Sequence, residues 1–125
     1  MTGQYSGGAI LDRANLSGAD LYLVSFFLAS LRSANLTGAE MLGVNLEEAD
    51  LRGADLTGAN LGKGNMGARS NLRGTNLRAA VLTNAILDEA EYDQYTAFPD
   101  DFDPAAHNMI RVETDASEER NEGTQ

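Results

Sequence analysis

Residues 34–63 read ANLTG AEMLG VNLEE ADLRG ADLTG ANLGK. A small residue opens each group, a polar one follows, a large apolar one sits at the centre, and two further residues close it. The same period runs outward in both directions. Upstream it reaches residue 9 through AILDR, ANLSG, ADLYL, VSFFL and ASLRS; downstream it passes GNMGA, loses its frame for one residue at Arg69, and resumes as SNLRG, TNLRA, AVLTN, AILDE and AEYDQ up to residue 94. Of the seventeen centres, thirteen are Leu and the others are Phe26, Met41, Met66 and Tyr92. A repeat of this regularity has to be recognised before secondary structure is assigned, because it decides the architecture.

Period five suits neither common element. On an α-helix each five-residue step turns the centre by about 140°, which spreads the leucines around the whole surface. In a flat strand alternate leucines point to opposite faces. All of them reach one core only if the chain turns a corner about once per group and coils around them. Gly18, Gly38, Gly53, Gly58 and Gly74, each closing a group, suit such corners. Asn15, Asp20, Asn35, Asp55 and Asn76 precede centres, where their side chains can bond nearby backbone.

These groups resemble the pentapeptide-repeat family, with its Ala-(Asp/Asn)-Leu-x-x consensus. The resemblance implies an all-β solenoid: a right-handed quadrilateral parallel β-helix of about four coils, with small residues and centres pointing inward. On that frame residues 9–94 form the coil, residues 1–8 a lead-in, 95–112 a C-terminal cap and 113–125 a disordered acidic tail. Arg69 is expected to bulge at one corner without moving later centres.

With four groups per coil, residues about twenty apart stack. Leu11, Leu31, Leu51, Leu72 and Tyr92 then form one inner column, and Phe26, Leu46, Met66 and Leu87 another. Outside the first column the spacing predicts a basic ladder of Arg32, Arg52 and Arg73, which reads either as an anion- or partner-binding stripe or as a solvated ladder offset by Asp12, Asp50 and Asp93. Tyr22 and Leu42 stack outward with Leu23, Phe27 and Leu28 around the corner. Five large apolar groups in positions that are elsewhere polar or small mark an interface, unless the protein's own tail or N-terminus covers them. Val81 and Ile86 form a second outward pair, expected under the tail.

The open ends of a solenoid need capping. The C-terminal segment offers Phe98, Phe102 and Met109, with Asp103-Pro104 as N-cap and first turn of a short helix over about 104–110. Its Phe-Pro…Phe-Asp-Pro…Met pattern resembles tails of cyanobacterial members of the family. Residues 113–125 hold five acids and one Arg, a composition that favours disorder.

Composition narrows the function classes. The 125 residues carry 19 Asp+Glu against 9 Lys+Arg, a net charge of −10, which argues against nonspecific binding of nucleic acid or an acidic membrane. The absence of Cys removes disulfides and thiolate metal sites. No apolar run approaches the roughly 18 residues of a membrane span, and no basic-then-apolar leader opens the sequence, so a cytoplasmic location is expected. His107 is the lone histidine, which leaves no His-based triad or metal cluster. Gly62-Lys63-Gly64 lacks the spacing and Ser/Thr of a phosphate loop. No catalytic, cofactor-binding or metal-binding residue is therefore expected, and the protein reads as a non-enzymatic solenoid that presents a rigid surface to another protein or to a copy of itself. The resemblance also implies an alternative, mimicry of DNA toward DNA gyrase, for which the short rod and the arginine face are unfavourable. A third reading is a structural module acting through its acidic tail.

Overall fold

A computed structural model describes residues 8–115. The chain winds as a four-sided parallel β-helix in which each side of each coil contributes one bridged residue. The first side stacks Ile10, Ser30, Asp50, Asn76 and Ala97; the second Asn15, Asn35, Asp55 and Val81; the third Asp20, Glu40, Asn60 and Ile86. The fourth stacks Ser25, Asn45, Asn71 and Glu91, and ends where β1 (Glu91–Tyr92) pairs in parallel with β2 (Ile110–Arg111).

A turn separates one side from the next. At the first corner Ala14 N–H donates to Leu11 O at 3.0 Å, and the residue before Ala14, Arg13, has φ 61°. The same combination recurs around the helix, and a positive φ at the third turn residue is the type II signature. Gly occupies that position at 18, 38, 43, 53, 58 and 74, while Leu23, Leu28, Ser33, Glu48, Ala79, Asn84 and Glu89 hold it without glycine's freedom. Where the residue ahead of a centre is Asn or Asp, it braces the same turn: Asn35 Oδ1 accepts from Thr37 N–H at 3.0 Å, and Asp55 Oδ1 from Thr57 N–H at 3.0 Å.

The centres pack in the interior as expected. Leu21, Phe26, Leu31, Leu36, Met41, Leu46, Leu51, Leu56 and Leu61 are fully buried with the alanines between them. Two inward small positions carry hydroxyls, and both are satisfied. Ser70 Oγ lies within hydrogen-bond distance of Met41 O and Gly62 O, and Thr75 Oγ1 donates to Leu46 O at 2.7 Å. No described buried side-chain polar atom lacks a partner.

The frame shift differs from expectation. The spacing along each side is twenty residues up to Asn60, and then twenty-six: Asn71 lies beneath Asn45, Asn76 beneath Asp50, Val81 beneath Asp55 and Ile86 beneath Asn60. The insertion is therefore the six residues 64–69, and not Arg69 alone. GNMGA is no coil group. Asn65–Gly67 form a 3-10 turn in which Met66 has φ 61°, and the Met66 side chain is fully solvent-exposed. Gly64 N–H donates to Ala68 O at 2.7 Å and closes the neck of the loop, so the coil resumes at Ser70 in register. Leu72 consequently falls in line with Leu46 and not Leu51, and Met66 leaves the column assigned to it. A five-residue loop sequence with an apolar centre and an Asn before it is indistinguishable from a repeat by period; its two glycines were the sole local difference.

The C-terminal segment closes part of the last coil. Tyr92 meets Phe98 edge to face, and Phe98, Phe102 and His107 stack in turn, with centroid separations of 5.4, 5.1 and 4.4 Å. Pro104–His107 is a 3-10 turn whose N-cap, Asp103, accepts from Ala105 N–H, shorter than the expected helix but begun by the same residues. Met109 is buried at the end of the core. Ala97 extends the first side and Ile110 the fourth, while the second and third sides end at Val81 and Ile86 among the described residues. These two side chains are 42% and 46% exposed. The described part of the tail does not cover them, because it joins the first side at Ala97 and the fourth at Ile110 and adds no rung to the second or third. Within the segment expected to be disordered, Thr114 exchanges hydrogen bonds with the Gln94 side chain (3.0 and 2.6 Å). Residues 116–125, and 1–7 of the lead-in, lie outside the described residues.

Candidate functional site

Four of the five apolar residues expected to form an interface, Tyr22, Leu23, Phe27 and Leu28, belong to the first described coil, at the end opposite the tail, and Leu42 lies one coil below. Leu23 N–H donates to Leu42 O at 3.0 Å, and Asp20 bridges to Glu40, so Tyr22 and Leu42 are vertical neighbours on the third side. Leu23 turns the corner to the fourth side, on which Phe27 lies, and Leu28 turns the next corner. Leu23 is 39% and Leu28 51% exposed; Tyr22, Phe27 and Leu42 are half-buried. Ile10, on the first side just beyond Leu28, adds an exposed apolar group that the repeat pattern did not single out.

The described part of the tail joins the rungs of Asn76 and Glu91 at the other end and does not cover this cluster, and residues 1–7, the other expected cover, lie outside the described residues. The inserted loop instead borders part of it. Asn65 N–H donates to the Tyr22 hydroxyl at 3.1 Å. A Cβ added to Gly64 would lie 3.2 Å from Tyr22 Cε1, and one added to Gly43 would lie 2.6 Å from Leu23 Cδ2. Glycine at these two places lets the loop and the coil approach the apolar side chains. The result is an open groove of about 360 Å³ lined by Asp20, Tyr22, Glu40, Leu42 and Asn65. Asp20 and Glu40 were missed as site residues, although each stands two positions before a member of the apolar pair and so on the same face. Asn65 could not be found while its segment was counted as a coil group.

The basic ladder is rebuilt by the six-residue shift. Ser33 N–H donates to Arg52 O and Gly53 N–H to Arg78 O, so Arg32, Arg52 and Arg78 share the first side. Arg73 lies elsewhere: Glu48 N–H donates to its carbonyl on the fourth side, where its Nε reaches Asn71 Oδ1 at 3.1 Å. Carboxylates interleave with the first two guanidiniums. Asp12 meets Arg32 through Oδ2 at 2.9 Å, and Asp50 meets Arg52 at 2.7 Å and Arg32 at 4.0 Å. The Ser30 hydroxyl, together with Arg32, holds the Asp12 carboxyl down at about 2. Asp50 is likewise lowered, chiefly by its bond from Arg52. Exposed pairs of this kind contribute little stability, and the first side is a mutually compensated ladder more than an open anion site. Asp93, expected beside the ladder, is buried under the tail. Its carboxylate accepts from Gly74 N–H (3.1 Å), Tyr95 N–H (3.0 Å) and the Thr114 hydroxyl (2.5 Å). Burial pushes its pKa up, but these bonds outweigh it and leave the group below the usual carboxylate range.

Among the described residues no group of three or more His, Cys, Asp or Glu is placed to hold a metal ion, and no helix is long and apolar enough to cross a membrane. His107 is exposed, its Nδ1 3.0 Å from Asp103 O.

Comparison with known proteins agrees with this architecture. The family model described as pentapeptide repeats (8 copies) matches residues 25–66 and 68–91. Among solved structures, alr5209 from Nostoc is similar at 34% identity over 86% of this chain and 80% of its own, with a TM-score of 0.47. AT2G44920, a pentapeptide repeat protein from the thylakoid lumen of Arabidopsis thaliana, is 28% identical over 74% of this chain and 64% of its own, with a TM-score of 0.58. HetL from Nostoc, involved in regulating heterocyst differentiation, is 30% identical over 77% of this chain and 48% of its own, with a TM-score of 0.49. No curated protein matches the sequence. The family match covers more than half of the residues and joins the coil on either side of the inserted loop, and on that ground the chain belongs to the pentapeptide-repeat family.

Proposed function

We propose that this protein is a non-enzymatic scaffold that binds another protein through the apolar rim formed by Leu23, Phe27 and Leu28 together with Tyr22 and Leu42. The observation that carries this reading is the placement of Leu23 and Leu28 at left-handed turn positions, φ 58° and 62°, with much of each side chain in water. Glycine is the better local residue there, so local backbone preference does not account for a large apolar side chain at two successive corners. Between them Phe27 extends the same strip, and the rigid coil beneath keeps all three in fixed relation. A preorganised apolar strip loses little conformational freedom on binding, and that favours association. Mimicry of DNA finds no comparable support, since the carboxylates Asp12 and Asp50 are compensated by arginines on the first side.

The test is a Leu23→Ser/Leu28→Ser variant, chosen because Ser33 already occupies the same turn position at φ 57°. The variant should melt like the wild type while losing, in sedimentation and affinity capture, the association that the wild type shows. A variant that retains every interaction at unchanged strength would overturn the assignment.

A further inference from the structure

We propose that the open lower edge of the second side takes up an extended segment of a partner protein as an added parallel strand. This edge lies at the end of the rod opposite the apolar rim, and the proposal stands apart from the rim. On the fully stacked rung of Asp55, three backbone groups reach the rung below. Leu56 N–H and Gly58 N–H donate to Val81 O and Thr83 O at 2.8 and 2.9 Å, and Ala54 O accepts from Val81 N–H at 2.9 Å. Their counterparts one rung on are Leu82 N–H, Asn84 N–H and Ala80 O, none of which has a backbone partner among the described residues. The side chains of this edge are as open as its backbone: Val81 is exposed and Leu82 only partly buried. A row of free donors and acceptors beside apolar side chains is a template for strand addition.

Continuity with the neighbouring side supplies the form of the occupant. On the first side the tail already extends the same edge, with Leu77 N–H donating to Ala97 O at 2.7 Å and Ala97 N–H to Thr75 O at 2.9 Å. The Phe98 side chain packs against the core there, as a centre does. The chain then leaves the coil, and a hollow of about 450 Å³ lined by Arg78, Ala79, Phe98, Pro99 and Asp100 stands where the next corner would pass. A segment that enters through this hollow meets the second side in the register of the repeat. It needs a corner, a small residue, a bridged residue beneath Val81 and a large apolar residue over Leu82. Charge fixes one further feature. Arg32 and Arg52 on the first side each meet a carboxylate, whereas Arg78 takes part in no ion pair among the described residues, with Asp100 included. An acidic residue at the corner of the occupant would complement it. Residues 116–125 contain no large apolar side chain to serve as the centre, so the occupant is a segment of another protein.

The probe is acetyl-Glu-Gly-Ala-Asn-Leu-Thr-Gly-amide, which follows the pattern of residues 78–84 with Glu at the corner, titrated into the full ¹⁵N-labelled chain. In the free protein the Leu82 and Asn84 amides should exchange rapidly; saturating peptide should shift both and slow their exchange. N-methylation of the peptide Asn removes the donor to Ala80 O and should weaken binding about fivefold, the worth of one net hydrogen bond. Ser in place of the peptide Leu should weaken it at least as much. The wild type should prefer Glu to Gln at the corner, and Arg78→Gln should abolish that preference. The Leu23→Ser/Leu28→Ser variant should bind the peptide as the wild type does, which keeps this edge separable from the rim. No saturable shift at millimolar peptide, shifts centred on another side, or equal binding of the N-methylated peptide would each overturn the proposal. Protection of Leu82 and Asn84 before any peptide is added would also overturn it, since the chain itself or a second copy would then hold the edge. Equal binding of the Glu and Gln peptides would overturn the acidic corner.

Discussion

The middle coils and the C-terminal end are built from the same five-residue group, yet they solve different problems. Between Leu31 and Leu61 every centre has a rung above and a rung below, and every one is fully buried. At the C-terminal end two sides receive a further rung, Ala97 and Ile110, while the other two stop at Val81 and Ile86. Leu82, a centre like the rest, is there only partly buried. Burial in this fold is thus a property of the stack, and a group with a perfect sequence is no better sealed than the neighbour that covers it. The inserted loop makes the same point from the opposite direction. It adds six residues in the middle of the rod without opening the core, because its neck is closed by one hydrogen bond and the rungs on either side remain stacked.

The largest effect that follows is an asymmetry between identical substitutions. Leu51→Ala, in the sealed region, should cost about 3–5 kcal/mol, the range for a fully buried leucine whose cavity cannot collapse. Leu82→Ala should cost about 1–2 kcal/mol, because part of its surface already faces solvent. Urea unfolding of both variants measures the difference directly. Equal losses would mean that something covers Leu82 as fully as the coils cover Leu51.

A smaller effect probes how the end is fastened. Replacing Asp93 by Ala leaves Gly74 N–H and Tyr95 N–H without their acceptor and frees the Thr114 hydroxyl, at a cost of about 2 kcal/mol for unsatisfied buried donors. Amide exchange at Ile110 and Val112 should accelerate, and exchange in the middle coils should stay slow. The acid limb gives an independent reading. Asp12, Asp50, Asp55 and Asp93 all have carboxyl pKa values lowered by folding. A group whose folded pKa is depressed contributes stability above its unfolded value, near 3.9, and that contribution disappears as pH falls through the folded value. Stability should therefore decline below about pH 4, and for Asp12 the loss continues down to about 2. Asp93→Ala should flatten that decline at the tail, as hydrogen exchange against pH would report.

A still smaller change separates the two accounts of the frame shift. Removing residues 64–69 joins Lys63 to Ser70 and continues the period without interruption, so the fold should persist with a stability change within about 1 kcal/mol. Tyr22 would lose its partner, and its ring should become more accessible to quenchers. Removing Arg69 alone shortens the loop and should not move Leu72 out of line with Leu46. Circular dichroism and Tyr fluorescence on the two deletions decide between a six-residue loop and a one-residue bulge.

Much of this fold was legible from the period alone, because a centre every fifth residue admits one core only if the chain turns a corner each time. The stacking of Tyr22 over Leu42 and the inward leucines follow from that rule, while the Asp103-Pro104 turn was legible from N-cap and proline chemistry. The failures share one cause. GNMGA satisfies the period and yet leaves the coil as a 3-10 turn in which Met66 and Gly67 both have positive φ. Assigning it inside displaced Met66, Leu72 and Arg73, and hid Asn65 from the groove. The fate of Val81 and Ile86 was illegible for a different reason: it depends on the path the tail takes across the end, and Phe98, Phe102 and Met109 could serve either a cover outside or a plug across the interior.

Turn positions offer the finest distinction between what the repeat requires and what this chain adds. Gly58 and Leu28 occupy equivalent corners, φ 70° and 62°, and nothing lies within 4 Å of a Cβ built on Gly58. Gly58→Leu should therefore cost about 1 kcal/mol, the penalty for a side chain in the left-handed region, with no compensating contact. Leu28→Gly recovers that penalty but gives up some unfolded-state restriction, for a net gain of about 0.5 kcal/mol. Thermal melts of the two variants should thus shift in opposite directions. If Leu28→Gly gains stability and binds its partner less well, the leucine is kept at that corner for association. If it loses stability, contacts within the rod explain the leucine, and the rim must rest on Leu23 and Phe27.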